Sequence, residues 1–168
     1  MRVSIILIIL LFPLSLISQV KEKFDRLYLN EEYNILVDYF DNVYGDQDFK
    51  LIENEVLSYY VISKLKISSL EIDKSFSSLN NIEIRNIKNH IDLSSDRYSD
   101  ILKYEFGKYQ YNNSKYKSAV KYLSQTSDYA DSNLMLGISY FNLKDFKVAK
   151  EYINKIDSNN SNRNLLLG

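Results

Sequence analysis

Cysteine is absent from this chain of 168 residues, glycine occurs four times and proline once. Without cysteine there is no disulfide, no thiolate nucleophile, no Cys-based zinc site and no lipid anchor on a cysteine. An oxidising compartment stays open, because exported bacterial proteins often dispense with the residue. The lone proline, Pro13, sits in the N-terminal apolar run. So few turn-forming residues argue against a β-sandwich or barrel, which needs frequent tight turns. Helices joined by Ser, Asn and Asp loops fit better. With 45% hydrophobic and 26% charged residues, the chain can bury a core and escapes wholesale disorder. Net charge is only −1, so no strong field draws in nucleic acid or an anionic membrane.

Catalytic signatures are missing as well. No Gly-x-Gly-x-x-Gly, P-loop, His-Glu-x-x-His or Gly-x-Ser-x-Gly pattern occurs. The single histidine, His90, has only Asp92 near it in sequence and reads as a polar residue on a helix face. Glu31-Glu32 and Asp128/Asp131 read as helix-start charges on solvated faces, not as acid/base pairs. The expectation is a non-enzyme with no cofactor and no metal.

At the N-terminus, Arg2 precedes an apolar run from Val3 to Ile17, and Ser18-Gln19-Val20 follow. This is the charged, apolar and small-residue order of a secretory signal peptide, and it places a signal segment at residues 1–18 with Gln19 as the new terminus. Leu16 is larger than ideal three residues before that cut. The competing reading is an uncut membrane anchor. It is disfavoured because fifteen residues with a central proline are short of the roughly 20 that a span needs.

The informative feature is a repeat. Phe106–Leu123 set above Leu136–Ile153, thirty positions apart without a gap, pairs Gly107 with Gly137, Tyr111 with Phe141 and Tyr116 with Phe146. Ala119 then falls on Ala149, Tyr122 on Tyr152 and Leu123 on Ile153. Each copy reads as two helices joined by a polar link, Asn112 to Lys115 or Asn142 to Asp145. In the second helix an aromatic, a small residue and a tyrosine recur at i, i+3 and i+6, with an aliphatic at i+7, which lines one helical face. Glycine and alanine recur where helices cross closely, and stacking covers the apolar face that one copy alone would expose.

On these residues the chain resembles the tetratricopeptide (TPR) repeat family, whose helix–turn–helix carries W-x2-L-G-x2-Y and then A-x3-F. Leu136-Gly137-x2-Tyr140 with Ala149-x3-Ile153, and Phe106-Gly107 with Ala119-x3-Leu123, supply the matches. Lys103 and Asn133 stand where the tryptophan would be, Gln110 replaces one tyrosine, and the terminal proline is missing. A weaker copy spans residues 21–42, with Tyr33, Leu36, Tyr39 and Phe40 in its second helix. Between it and Tyr98 the phase is lost, and helices are expected over Asn54–Lys66 and Ile82–Leu93. The tail Asn164–Gly168 matches Asn133–Gly137 at an offset of 31, as though the chain stopped inside a further repeat.

The resemblance implies an all-α, right-handed α-solenoid of antiparallel helix hairpins behind a signal peptide. Its divisions are 1–18, then 19–97 (degenerate helical repeats), 98–157 (two TPR-like repeats) and 158–168 (the start of another). It implies a protein or peptide partner and no nucleic acid, with membrane contact only through an uncut N-terminal segment. The expected location is the periplasm or envelope of a Gram-negative bacterium, where similar exported TPR proteins act as adaptors. The alternatives are a membrane-tethered assembly or regulatory factor, or the accessory region of a larger enzyme. Phe106, Gly107, Tyr116, Ala119, Tyr122, Leu136, Gly137, Tyr140, Phe146, Ala149 and Tyr152 are expected to pack the repeats. Tyr104, Lys108 and Tyr111 are the candidates for a partner-binding concave surface. A far-ultraviolet circular dichroism spectrum should be dominated by helix; a strand-rich spectrum would contradict the whole reading.

Overall fold

The computed structural model describes residues 18–45, 47–70, 79–94, 97–126, 129 and 131–156. The signal segment expected at 1–18, apart from Ser18, and the partial repeat expected at 158–168 lie outside the described residues. All-α is the observed class: among the described residues there is no strand. Helix α1 runs through residues 18–29, followed by α2 (Tyr33–Tyr44), a single 3-10 turn (Phe49–Leu51) and α3 (Asn54–Leu70). Then come α4 (Asn81–Leu93), α5 (Ser99–Asn112), α6 (Tyr116–Leu123), α7 (Ser132–Asn142) and α8 (Phe146–Ile153). Two compact units divide at Lys64/Leu65, inside α3.

In the N-terminal unit, aromatic residues build the core. Phe24 on α1 is fully buried, with its ring 4.9 Å from Tyr39, 6.1 Å from Phe40 and 6.0 Å from Tyr44. Phe40 in turn stacks on Tyr60 at 3.8 Å, and Tyr28 stacks on Tyr59 at 4.4 Å. Such pairs add about 1 kcal/mol each beyond the area they bury. At the start of α3, Glu53 and Glu55 hold the Lys21 ammonium at 2.8 and 2.7 Å. Helix α3 was expected to end at Lys66 but continues to Leu70. It is also more deeply buried than one amphipathic face requires: Tyr59, Ile62, Ser58 and Ser63 are inside along with Val56, Leu57, Tyr60, Val61 and Leu65. Ser63 tolerates this because its hydroxyl donates to the Tyr59 carbonyl at 2.7 Å.

The C-terminal unit opens with a reciprocal cap. The Asn80 side chain accepts from the Ile82 and Glu83 amides at 2.9 Å, and the Glu83 carboxylate accepts from the Asn80 amide at 2.8 Å. Ile87 and Ile91 face inward on α4 as their spacing predicts, and His90 joins them at 8% exposure. His90 is thus a helix-face residue, as expected, and the face it occupies is a buried one. Asp92, near the end of α4, accepts from Lys88 at 2.7 Å and from the Tyr122 hydroxyl of α6 at 3.1 Å. Burial and this carboxylate push the Tyr122 phenol up to about 12.

Beyond α4 each helix packs on the next, and α5 also touches α7, so first helices of successive pairs are neighbours. Tyr104, Ala119, Leu123, Met135 and Leu136 form the shared core of α5, α6 and α7. Close approach within each pair is set by glycine. A Cβ on Gly107 would lie 2.7 Å from Leu123 Cγ, and one on Gly137 would lie 2.7 Å from Ile153 Cγ1. The same contact thus recurs thirty residues on.

The turns recur as well. After α1, α5 and α7 the chain passes through a left-handed residue, Glu31 (φ 59°), Ser114 (φ 58°) or Lys144 (φ 64°). In each case that residue's amide donates three residues back, to Tyr28, Tyr111 or Phe141, at 2.9–3.1 Å. The following amide reaches five back, to Leu27, Gln110 or Tyr140, at 2.9–3.0 Å. This is the Schellman helix end, here without its usual glycine. An aromatic pair brackets every turn edge to face: Tyr28–Tyr33 at 6.4 Å, Tyr111–Tyr116 at 6.2 Å and Phe141–Phe146 at 5.3 Å.

Gly107→Ala should destabilise the protein by about 1–3 kcal/mol in urea unfolding, despite alanine's higher helix propensity, because it overpacks a filled contact. Gly137→Ala should cost less. Its nearest backbone atom is 3.5 Å away, against 3.2 Å for the Leu123 nitrogen at Gly107.

Candidate interaction surface

Tyr104, Lys108 and Tyr111 stand at i, i+4 and i+7 of α5, one stripe of a helix. Thirty residues on, α7 has Leu134, Ile138 and Phe141 at the same places. The stripe is not uniformly open. Tyr104 is only 9% exposed, its ring flat on that of Tyr129 at 4.3 Å and 11°. Lys108 Nζ lies 5.9 Å from the Tyr104 ring centre and Tyr111 is partly buried. Lys108, Tyr111, Leu134 and Ile138 therefore offer partial surface, and Phe141 is well exposed. Burial holds the Tyr104 and Tyr111 phenols above the usual tyrosine range, so both stay neutral at physiological pH.

Among the residues expected to pack the repeats, Phe106, Gly107, Ala119, Tyr122, Leu136, Gly137 and Ala149 are buried. Phe106 meets Tyr122 edge to face at 4.9 Å, and the partly buried Tyr140 and Tyr152 stack at 5.5 Å. Tyr116 is partly buried. Phe146 departs from expectation: it pairs with Phe141, yet 58% of it is exposed. Phe141, Leu143 and Phe146 together form an apolar surface at the α7–α8 turn.

Glu105 is the residue that sequence reasoning missed. It is 5% exposed, and its Oε2 has no hydrogen-bond partner. Lys66 Nζ approaches Oε1 only to 3.8 Å. Burial pushes the carboxyl above the usual glutamate range, against the pull of Lys66 and Lys108. In sequence it looks like any helix-surface glutamate, and only its place between two tyrosine-bearing turns sets it apart.

No group of three or more His, Cys, Asp or Glu that could hold a metal ion occurs among the described residues. No described helix is long and apolar enough to cross a membrane. Comparison with protein-family models, with curated proteins and with solved structures finds no match to this chain.

Because the Glu105 carboxyl titrates higher in the fold than in the unfolded chain, it supports the fold fully only below the ordinary glutamate value. That support is lost as pH rises through its raised value. Glu105→Gln should therefore be about 1 kcal/mol more stable than the wild type at neutral pH. The gap should close on acidification, as read by urea midpoints across pH.

Proposed function

We propose that the chain is a non-catalytic interaction scaffold of the TPR class, a right-handed α-solenoid segment exported to the bacterial envelope. The observation that carries the reading is the exact register of two helix pairs. Glycine-on-aliphatic contacts at Gly107/Leu123 and Gly137/Ile153, and left-handed turns at Ser114 and Lys144, repeat with one offset of thirty residues. Packing of α5 on α7 agrees with first helices lying side by side, the arrangement in which TPR proteins hold peptides. Export rests on the order of Arg2, the apolar run and Ser18, and on nothing else.

In the source cell, the mature protein should begin at Gln19 or a neighbour on N-terminal sequencing. A retained Met1 would favour the tethered alternative. Crosslinking in the envelope fraction should capture a defined protein partner. Lys108→Glu combined with Tyr111→Ala should reduce that capture about tenfold, a change of roughly 1.4 kcal/mol, while leaving the helical spectrum unchanged. Absence of any specific partner would overturn the scaffold reading.

A further inference from the structure

A second surface lies on the other helix of the first pair. Ser114, Lys115, Tyr116, Lys117, Ser118 and Lys121 line a groove of about 770 Å³ that reaches Leu143 in the next turn. The groove is shallow and open to solvent. Tyr116 and Leu143 give it apolar walls, and the lysine stems add methylene surface while their ammonium groups stay in water. Three cations edge the groove and no carboxylate lines it.

Nearby acids are already engaged. Asp145 caps α8 by accepting from the Val148 amide at 3.3 Å. Asp92 is shared among Lys88, the Tyr122 hydroxyl and, at 3.6 Å, Lys121. Lys115 and Lys117 have no acidic partner among the described residues. The local excess belongs to a wider division: residues 99–156 carry nine basic and six acidic side chains, whereas residues 19–98 carry ten basic and fifteen acidic.

From this we infer that the groove docks an acidic protein segment with an aliphatic or aromatic anchor. The anchor sits between Tyr116 and Leu143, and flanking carboxylates face Lys115 and Lys117. Charge complementarity selects the acid, and the apolar walls select against a bare polyanion. The groove's lining residues differ from those of the Tyr104–Tyr111 stripe, which it adjoins through the Tyr111–Tyr116 ring contact at 6.2 Å.

The test is fluorescence anisotropy of the full-length mature chain with three labelled peptides of one length. The first alternates glutamate with leucine and phenylalanine, the second replaces glutamate by glutamine, and the third replaces it by lysine. The acidic peptide should bind at least tenfold more tightly than either other, and weaken as salt rises. Lys115→Glu with Lys117→Glu should abolish that preference, and Leu143→Ser should weaken binding several-fold. Both changes are at exposed positions, and unchanged circular dichroism confirms that the fold survives. Amide shifts in nuclear magnetic resonance should centre on residues 114–121 and Leu143. Equal binding of the glutamine peptide, shifts centred elsewhere, or tighter binding to phosphatidylglycerol vesicles or an oligonucleotide than to the acidic peptide would each overturn the proposal.

Discussion

The distance between paired helices is the constraint on which the rest of the C-terminal unit depends. A side chain at Gly107 would press against Leu123 and hold α5 off α6, and one at Gly137 would do the same against Ile153 between α7 and α8. Leu123 and Ile153 fill the space released, and each is 5% exposed or less. Burying an aliphatic side chain of that kind contributes about 1.5–3 kcal/mol. With the backbones that close, a three-residue link suffices to reverse the chain. The N-terminal pair solves the same problem differently: Phe24 occupies the position of the glycines, and its ring is accommodated by Tyr39, Phe40 and Tyr44.

Much of this was legible in the residues. Shortage of glycine and proline pointed to helices, and the polar links at Asn112–Lys115 and Asn142–Asp145 coincide with the observed breaks. Periodicity marks which side of a helix is apolar, so Ile87, Ala119, Leu123 and Ala149 were identifiable as interior. It cannot say how many neighbours a helix has. That is why α3, with interior residues on every side from Val56 to Val61, exceeded its expected burial. Nor does periodicity report what a link contributes: Tyr129 closes over Tyr104, which otherwise would belong to the open stripe. Phe146 fails in the opposite sense, because its repeat position marks it as a packing residue but does not say whether any element beyond Phe141 covers it.

Polar groups follow the same division between local and distant causes. The Asn80/Glu83 cap is a four-residue pattern and can be read directly. Asp92 gathers Lys88, Lys121 and Tyr122 from two helices, and nothing local to α4 announces it. Glu105 is buried by the meeting of α5 with residues far away in sequence, and its ionisation is set by that meeting. Under the proposed scaffold reading the distinction has practical weight. Stripes such as Lys108 and Tyr111 can be proposed from one helix, whereas the Lys115–Lys121 groove requires the turn of the following pair.

Left-handed residues at Glu31, Ser114 and Lys144 cost about 1–2 kcal/mol each relative to glycine. An aromatic pair brackets each of them, and tyrosine and phenylalanine number 23 here against four glycines. With braces placed on either side of the hinge, one backbone geometry recurs three times in a chain that has almost no glycine to spend on turns.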